Sequence, residues 1–276
     1  MRTLIAGPFV GEFGWELMGW QAHVRRRSRD YERTIVLSRP ECAYLYRDFC
    51  DRFEPWSPGS WLTQGYECTG GCPYDGAVET RYPGADRLCI DRNVDAVGWA
   101  GLADQEHRRF GLDVEPARTF DLVVHARAIP AFAGPADEKA QRNWPADEWH
   151  RLCAALARRF TIAAIGLPDL AILPDGTTDC RGLPLDQQCA LLARARAAIG
   201  PSSGPMHLAS LCGCPHLVWM KAEQGIPMRY ARDWNPLATR VCILSRAGWR
   251  PSRSLVLAGL RRLLAMPDGP GVLVAQ

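Results

Sequence analysis

The apolar residues of this chain gather in short unbroken runs. They stand at 3–7 (TLIAG), 34–38 (TIVLS), 121–127 (DLVVHAR), 160–166 (FTIAAIG), 197–202 (AAIGPS), 216–220 (HLVWM) and 240–244 (RVCIL). A strand with one wet face alternates apolar and polar residues, whereas a strand covered on both faces does not. The runs therefore predict strands of parallel sheets covered by helices. The stretches between them predict helices over 14–27, 42–52, 145–158, 185–196, 205–212 and 252–265. The segment from Pro145 has the plainest start: proline suits the first turn, Asp147 and Glu148 follow it, and Arg158 and Arg159 stand at the negative end. Residues 54–85 break the pattern. They are rich in Gly, Pro, Trp, Tyr and Cys without periodicity and read as a long ordered loop, a place where function often resides. Residues 100–118 are polar and helix-like, and a new strand–helix series begins after them. The expected organisation is an α/β domain over 1–116, a second over 117–250, and a C-terminal helix and tail over 251–276 packing back across both. Two parallel-sheet units would face each other across a cleft, with ligands beyond the carboxyl ends of the strands.

Composition narrows the class. With 276 residues, 47% hydrophobic and 23% charged, the chain reads as a soluble globular protein. A net charge of +3 is too small to decide the partner, although proteins that work through nucleic-acid phosphates are usually more basic. The basic stretch 23–33 (HVRRRSRDYER) reads as a solvated helix face, with contact to an anionic acceptor as its second reading. No apolar run approaches the roughly 20 residues that cross a bilayer. The first strand breaks at Gly7-Pro8, so no secretory signal is expected and a cytoplasmic protein is. Peripheral membrane contact stays open. The eleven cysteines are then expected as thiols. Cys68, Cys72 and Cys89 have loosely metal-like spacing, but no second pair completes a site, so no metal is expected.

The stretch 198–220 (AIGPSSGPMHLASLCGCPHLVWM) carries the most chemistry. A buried strand ends at Gly200, a loop of small residues follows, and a helix starts near Met206 with His207 in its first turn. Unused amides at a helix start and the helix dipole favour an anion. Ser202 and Ser203 add hydroxyls, and His207 adds a ring donor. A capped structural helix, with Ser203 as cap and His207 packed inside, is the competing reading.

The run Ser203-Gly204-Pro205-Met206-His207-Leu208-Ala209, with Gly213-Cys214-Pro215 after it, resembles the SG-x-x-HLA-x-x-x-G-x-P signature of heptosyltransferase-like glycosyltransferases. Ser202 stands where that family commonly has an acid. The stretch 125–152, with a basic residue ahead of Trp144-Pro145, and the leucine-rich stretch 179–200 are similar to the family in the same order. The resemblance implies a GT-B-type α/β fold of two Rossmann-like domains and a nucleotide-diphosphate sugar as donor. His125, Arg127, Arg142, Ser202, Ser203, Gly204, Met206 and His207 would line the donor diphosphate. Arginine suits that role because its planar fork donates two parallel hydrogen bonds. Lys221 and Glu223, with Arg229 and Asn235 beyond them, would border the nucleotide.

In the same family a Gly-Asp pair after the first strand carries the base that deprotonates the acceptor. Here residues 7–21 read GPFVGEFGWELMGWQ, and Glu12 follows Gly11 in that place. Glu16, one turn on, is its rival. Trp15 and Trp61 are candidates to stack on an acceptor sugar or base. The implied reaction is an inverting, metal-independent glycosyl transfer to a hydroxyl of a glycan, a lipid-linked saccharide or a modified nucleobase. Two other classes fit the residues: a binding module that holds a nucleotide sugar without turnover, and an enzyme that epimerises the donor itself.

Overall fold

The structure is a computed structural model and describes residues 2–9, 12–56, 80–88, 104–131, 138–221 and 226–275. The chain divides into two compact units, 1–108 and 109–276.

In the first unit β1 (Thr3–Ala6), β2 (Arg33–Ser38), β3 (Arg52–Pro55) and β4 (Asp86–Leu88) form a parallel sheet in the order β3-β2-β1-β4. Ile5 lies opposite Ile35, and with Leu37 they form a core patch covered by Tyr82 and Ala85. Between β1 and β2 runs helix α1. It is α-helical over Phe13–Trp15, widens to a π-helical turn over Glu16–Trp20, and returns to α over Gln21–Ser28. All five residues of the wide turn are buried. There the amide of Gln21 donates to the carbonyl of Glu16, so the Leu17 carbonyl takes the Gln21 side-chain amide instead, at 3.0 Å.

The helix expected over 42–52 is absent. A 3-10 turn over Pro40–Leu45 and a further turn lead directly into β3, a strand the run pattern misses. Tyr44, Leu45 and Tyr46 are all buried there, and the Tyr46 hydroxyl is held by Glu16. The basic stretch 23–33 is also only partly a solvated face. Arg25 is buried and paired with Asp48, and Arg29 meets Glu106 at 2.5 Å.

The second unit holds a seven-stranded parallel sheet in the order β11-β10-β9-β8-β5-β6-β7. Its strands are β5 (Leu122–Val124), β6 (Ile162–Ala164), β7 (Thr178–Asp179), β8 (Ala197–Pro201), β9 (His216–Trp219), β10 (Val241–Leu244) and β11 (Val272–Ala275). Helices α2 (Ala146–Leu156), α3 (Leu185–Arg194), α4 (Gly204–Leu211), α5 (Ile226–Asp233) and α6 (Arg253–Ala265) lie between them. Every strand expected here is present, and each is buried along its length. Trp144, Trp149 and Trp219 pack ring to ring at 5.0–5.5 Å in the centre of this core.

The observed boundary falls at 108/109, ahead of the expected 116/117. Helix α6 packs on the second sheet. Val256, Leu260 and Leu263 join the core of the second sheet, and Ser252 caps the helix by accepting the Leu255 amide at 3.3 Å. The tail beyond it is the edge strand β11, paired with β10. Among the described residues no helix is long and apolar enough to cross a membrane.

Candidate functional site

Counted from β5, the strands of the second sheet run 3-2-1-4-5-6-7. The order reverses between β5 and β8, and in such sheets a crevice opens at that point beyond the carboxyl ends of the two strands. Register sets Val124 beside Ile199, so the residues that leave both strands emerge together. From β5 come His125 and Arg127; from β8 come Ser202, Ser203 and Gly204, which opens α4.

His125 and Ser203 share a hydrogen bond, Nδ1 to Oγ at 3.0 Å. Ser203 has the extended backbone of a helix cap, yet its hydroxyl makes no capping bond. The hydroxyl faces the imidazole and not the helix start, where Pro205 has no amide hydrogen and the amides of Met206 and His207 donate to the Ser203 carbonyl. The competing reading holds in part: Ser203 is the N-cap residue but its side chain makes no capping bond, and His207 is packed inside. Two glycines make the arrangement possible. Gly166 has φ +122, and a Cβ there would stand 3.1 Å from Cδ2 of His125. A Cβ on Gly200 would stand 2.9 Å from the Met206 sulfur. A larger residue at either position would push into the ring or into the helix start.

His207 lies on the first turn of α4 and is buried. Its ring stacks on Trp234 at 4.3 Å and lies 5.6 Å from Tyr230, both belonging to α5 and the turn after it. Its Nδ1 is buried without a hydrogen-bond partner, as are Nε2 of His216 and the hydroxyl of Tyr230. Arg127 is buried and bridges to Ala171. Arg142 is half-buried with its guanidinium 5.2 Å from the Trp249 ring.

Burial holds the imidazoles neutral. His125 is lowered to about 3 by burial and then by the charge of Arg127. His207 is lowered to about 3 by burial, then by His216 and Arg142. His216 is lowered to about 4 by burial, against an opposing bond from its ring to the Cys214 carbonyl. Arg127 thus acts on His125, and Arg142 on His207.

These folded values lie below the roughly 6.5 of an unfolded histidine. The unfolded chain therefore binds more protons below that pH, and stability present above it is lost as pH falls toward 4 and 3. Each of the three histidines costs about 1.4 kcal/mol per pH unit across that window. The expected result is a urea midpoint for the second unit that is flat from pH 8 to 7 and falls steeply between pH 6 and 4.5. A flat midpoint across pH 6 to 4.5 would show the imidazoles to be solvated.

Other expected residues fall differently. Met206 is buried, with its side chain against Gly200 and its amide donated to the Ser203 carbonyl, so it supports the loop from within. Asn235 is also spent internally, its amide closing a turn onto the backbone of Thr239 at 2.6 and 2.9 Å. Arg229 pairs with Asp233 at 3.6 Å. Lys221 is exposed just after β9. Glu223, Trp61 and the cysteines at 68, 72 and 89 lie outside the described residues. The eight described cysteines are thiols, as expected, and among the described residues no group of three or more His, Cys, Asp or Glu could hold a metal.

In the first unit Glu12 precedes α1 with an extended backbone (φ −67, ψ 149) and is half-buried. Its carbonyl accepts the amides of Trp15 and Glu16, at 3.0 and 3.1 Å. Trp15 is half-buried in the same turn. Glu16, the expected rival base, is 0% exposed. One of its oxygens accepts from Ser38 and, at 2.7 Å, from Tyr46. The other accepts from Arg39 at 3.1 Å and from Cys42 at 3.2 Å. Two bonds per oxygen is the full capacity of a carboxylate. In this state Glu16 is an internal anchor and not a group open to an acceptor. Its four partners, at the carboxyl end of β2 and in the turn after it, are functional neighbours that sequence reasoning missed. The run Ser38-Arg39 directly after an apolar strand was their one signal.

No known family description and no curated protein matches this chain. Solved structures do. The chain is similar to heptosyltransferase WaaC of E. coli with ADP (13% identity, TM-score 0.58), over 95% of this chain and 100% of that one. It is similar to a glycosyl transferase of family 9 from Veillonella parvula (13%, TM-score 0.59), over 95% and 97%. It is also similar to the ADP-heptose lipopolysaccharide heptosyltransferase II of E. coli (15%, TM-score 0.57), over 96% and 98%. At these identities the likeness is one of fold. The chain has the GT-B-type α/β fold of the heptosyltransferase structures, in agreement with the resemblance carried by residues 203–215.

Proposed function

We propose that the protein is a glycosyltransferase whose second unit binds a nucleotide-diphosphate sugar at the β5–β8 crevice. The observation that carries this reading is the His125–Ser203 hydrogen bond, which turns the Ser203 hydroxyl away from the start of α4. On this reading Ser202, His207, Arg127 and Arg142 meet the diphosphate at the start of α4, where the dipole end and two guanidiniums suit its charge. The GT-B-type fold adds to this, since the related WaaC structure contains ADP.

In the reaction, Glu12 accepts the proton of the acceptor hydroxyl. The hydroxyl oxygen bonds to the anomeric carbon from the face opposite the diphosphate, the bond to the diphosphate oxygen breaks, and the sugar is inverted. The nucleoside diphosphate leaves with its charge met by Arg127, Arg142 and the positive end of α4. Such fixed donors do the work a metal would otherwise do, so turnover is expected to survive EDTA. The acceptor class is a hydroxyl of a glycan, a lipid-linked saccharide or a modified nucleobase.

The test is thermal unfolding against UDP, GDP, ADP, TDP and CMP. A diphosphate that binds only the native state raises the melting temperature. Arg127→Ala and His207→Ala should each weaken that ligand about 10- to 100-fold, the worth of a charge-assisted hydrogen bond. Wild-type affinity in both variants, or no shift with any diphosphate, would overturn the assignment of the crevice.

A further inference from the structure

The four-fold satisfaction of Glu16 has no place in the transfer chemistry itself, and burying a carboxylate is costly. Its location suggests what it is for. Glu16 begins the π-helical turn of α1, and such turns often mark functional positions. Its amide and that of Trp15 both donate to the carbonyl of Glu12. Its carboxylate is held by Ser38 at the end of β2, by Arg39 beside it, and by Cys42 and Tyr46 in the following turn. Glu16 thus links the carboxyl end of β2 to the backbone of Glu12.

We propose that Glu16 is a positioning residue that sets the backbone of Glu12 by tying the first turn of α1 to the carboxyl end of β2. The proposal rests on the reading of Glu12 as the base. The donors suit a permanent tie. Burial, followed by the charge of Glu16, pushes the Cys42 thiol and the Tyr46 phenol well above their usual values, so both stay protonated and keep donating. Arg39, itself buried, lies 5.7 Å from the ring of Phe9 in the segment that leads from β1 toward Glu12. The same cluster therefore holds the approach to Glu12 from both sides.

The experiment compares Glu16→Gln, Glu12→Gln and the double variant in the full chain. Turnover is followed as nucleoside diphosphate release from UDP-, ADP-, GDP- and TDP-glucose with water as acceptor. Glu16→Gln is expected to lower kcat tenfold or more with the KM for donor unchanged, and to cost nothing further in the Glu12→Gln background. Such non-additivity is the mark of a residue that acts through another. Hydrogen exchange gives a readout independent of turnover: the amides of Trp15 and Glu16 should exchange faster in Glu16→Gln while those of β1 and β2 do not. If Glu16→Gln does not fold, Tyr46→Phe and Ser38→Ala each remove one donor and take its place. Folded variants with wild-type kcat and wild-type exchange would overturn the proposal, as would losses that simply add. Full activity in Glu12→Gln with none in Glu16→Gln would instead remove Glu12 as base, a failure of the underlying reading and distinguishable from the first.

Discussion

Glu12→Gln is expected to lower sugar transfer by roughly 10²- to 10⁴-fold, the range that a positioned general base contributes. The amide keeps the length and volume of the side chain but cannot take a proton from the acceptor. The start of α1 should not depend on the change. The backbone carbonyl of residue 12, not its side chain, accepts the amides of Trp15 and Glu16, and the side chain makes no capping bond to α1. Nucleotide affinity should also be untouched, because the proposed diphosphate donors all belong to residues 125–207. The measurement pairs initial rates with nucleotide titration of the same preparation. Wild-type rates in Glu12→Gln would end its assignment as base.

Arg39→Ala is expected to destabilise the first unit by about 3–5 kcal/mol, the usual result of breaking a buried ion pair from one side. The Glu16 carboxylate would keep its place at 0% exposure with its one cationic partner gone. Water cannot easily replace a guanidinium at a site closed by Phe9, Tyr46 and the wide turn of α1. The contrast with the surface is a useful control. Arg151→Ala removes an exposed arginine that reaches Asp147 and Glu148, a change expected to fall within about 0.5 kcal/mol. Denaturant unfolding of the two variants, with hydrogen exchange to assign the loss to the first unit, checks the prediction. Equal stability of Arg39→Ala and the wild type would show that Glu16 relaxes to water when its partner is removed.

Much of the second unit could be read before folding. Its strands are continuous apolar runs because both faces of the sheet are covered, and that environment leaves a plain trace in composition. The strand–loop–helix order over 197–211 was also readable, because small residues stand there between a buried strand and a helix. The strands that escaped notice are Arg52–Pro55, Asp86–Leu88, Thr178–Asp179 and Val272–Ala275. All lie at or near a sheet edge, where one side of the strand is wet and two to four residues carry no pattern. The helix expected over 42–52 failed for a related reason: its apolar residues answer to a cluster around Glu16 and not to a helix face.

The sequence by itself determined the class of the protein. Strand runs, turn residues and the order of motifs along the chain are local or one-dimensional properties, and they were enough for parallel α/β units and a loop of small residues at the head of α4. The roles of individual side chains were decided only by tertiary structure. Glu12 and Glu16 are both acids in one glycine-rich stretch, and nothing in their spacing separates them. What separates them is desolvation. Glu16 is enclosed by donors that come from 22 to 30 residues away, whereas Glu12 stays half-buried at the helix start. Ser203 shows the same rule, since the ring that draws its hydroxyl from the helix is 78 residues away on the neighbouring strand. A carboxylate or a hydroxyl takes its function from its solvation and its partners, and those are set by residues brought together only when the sheet forms.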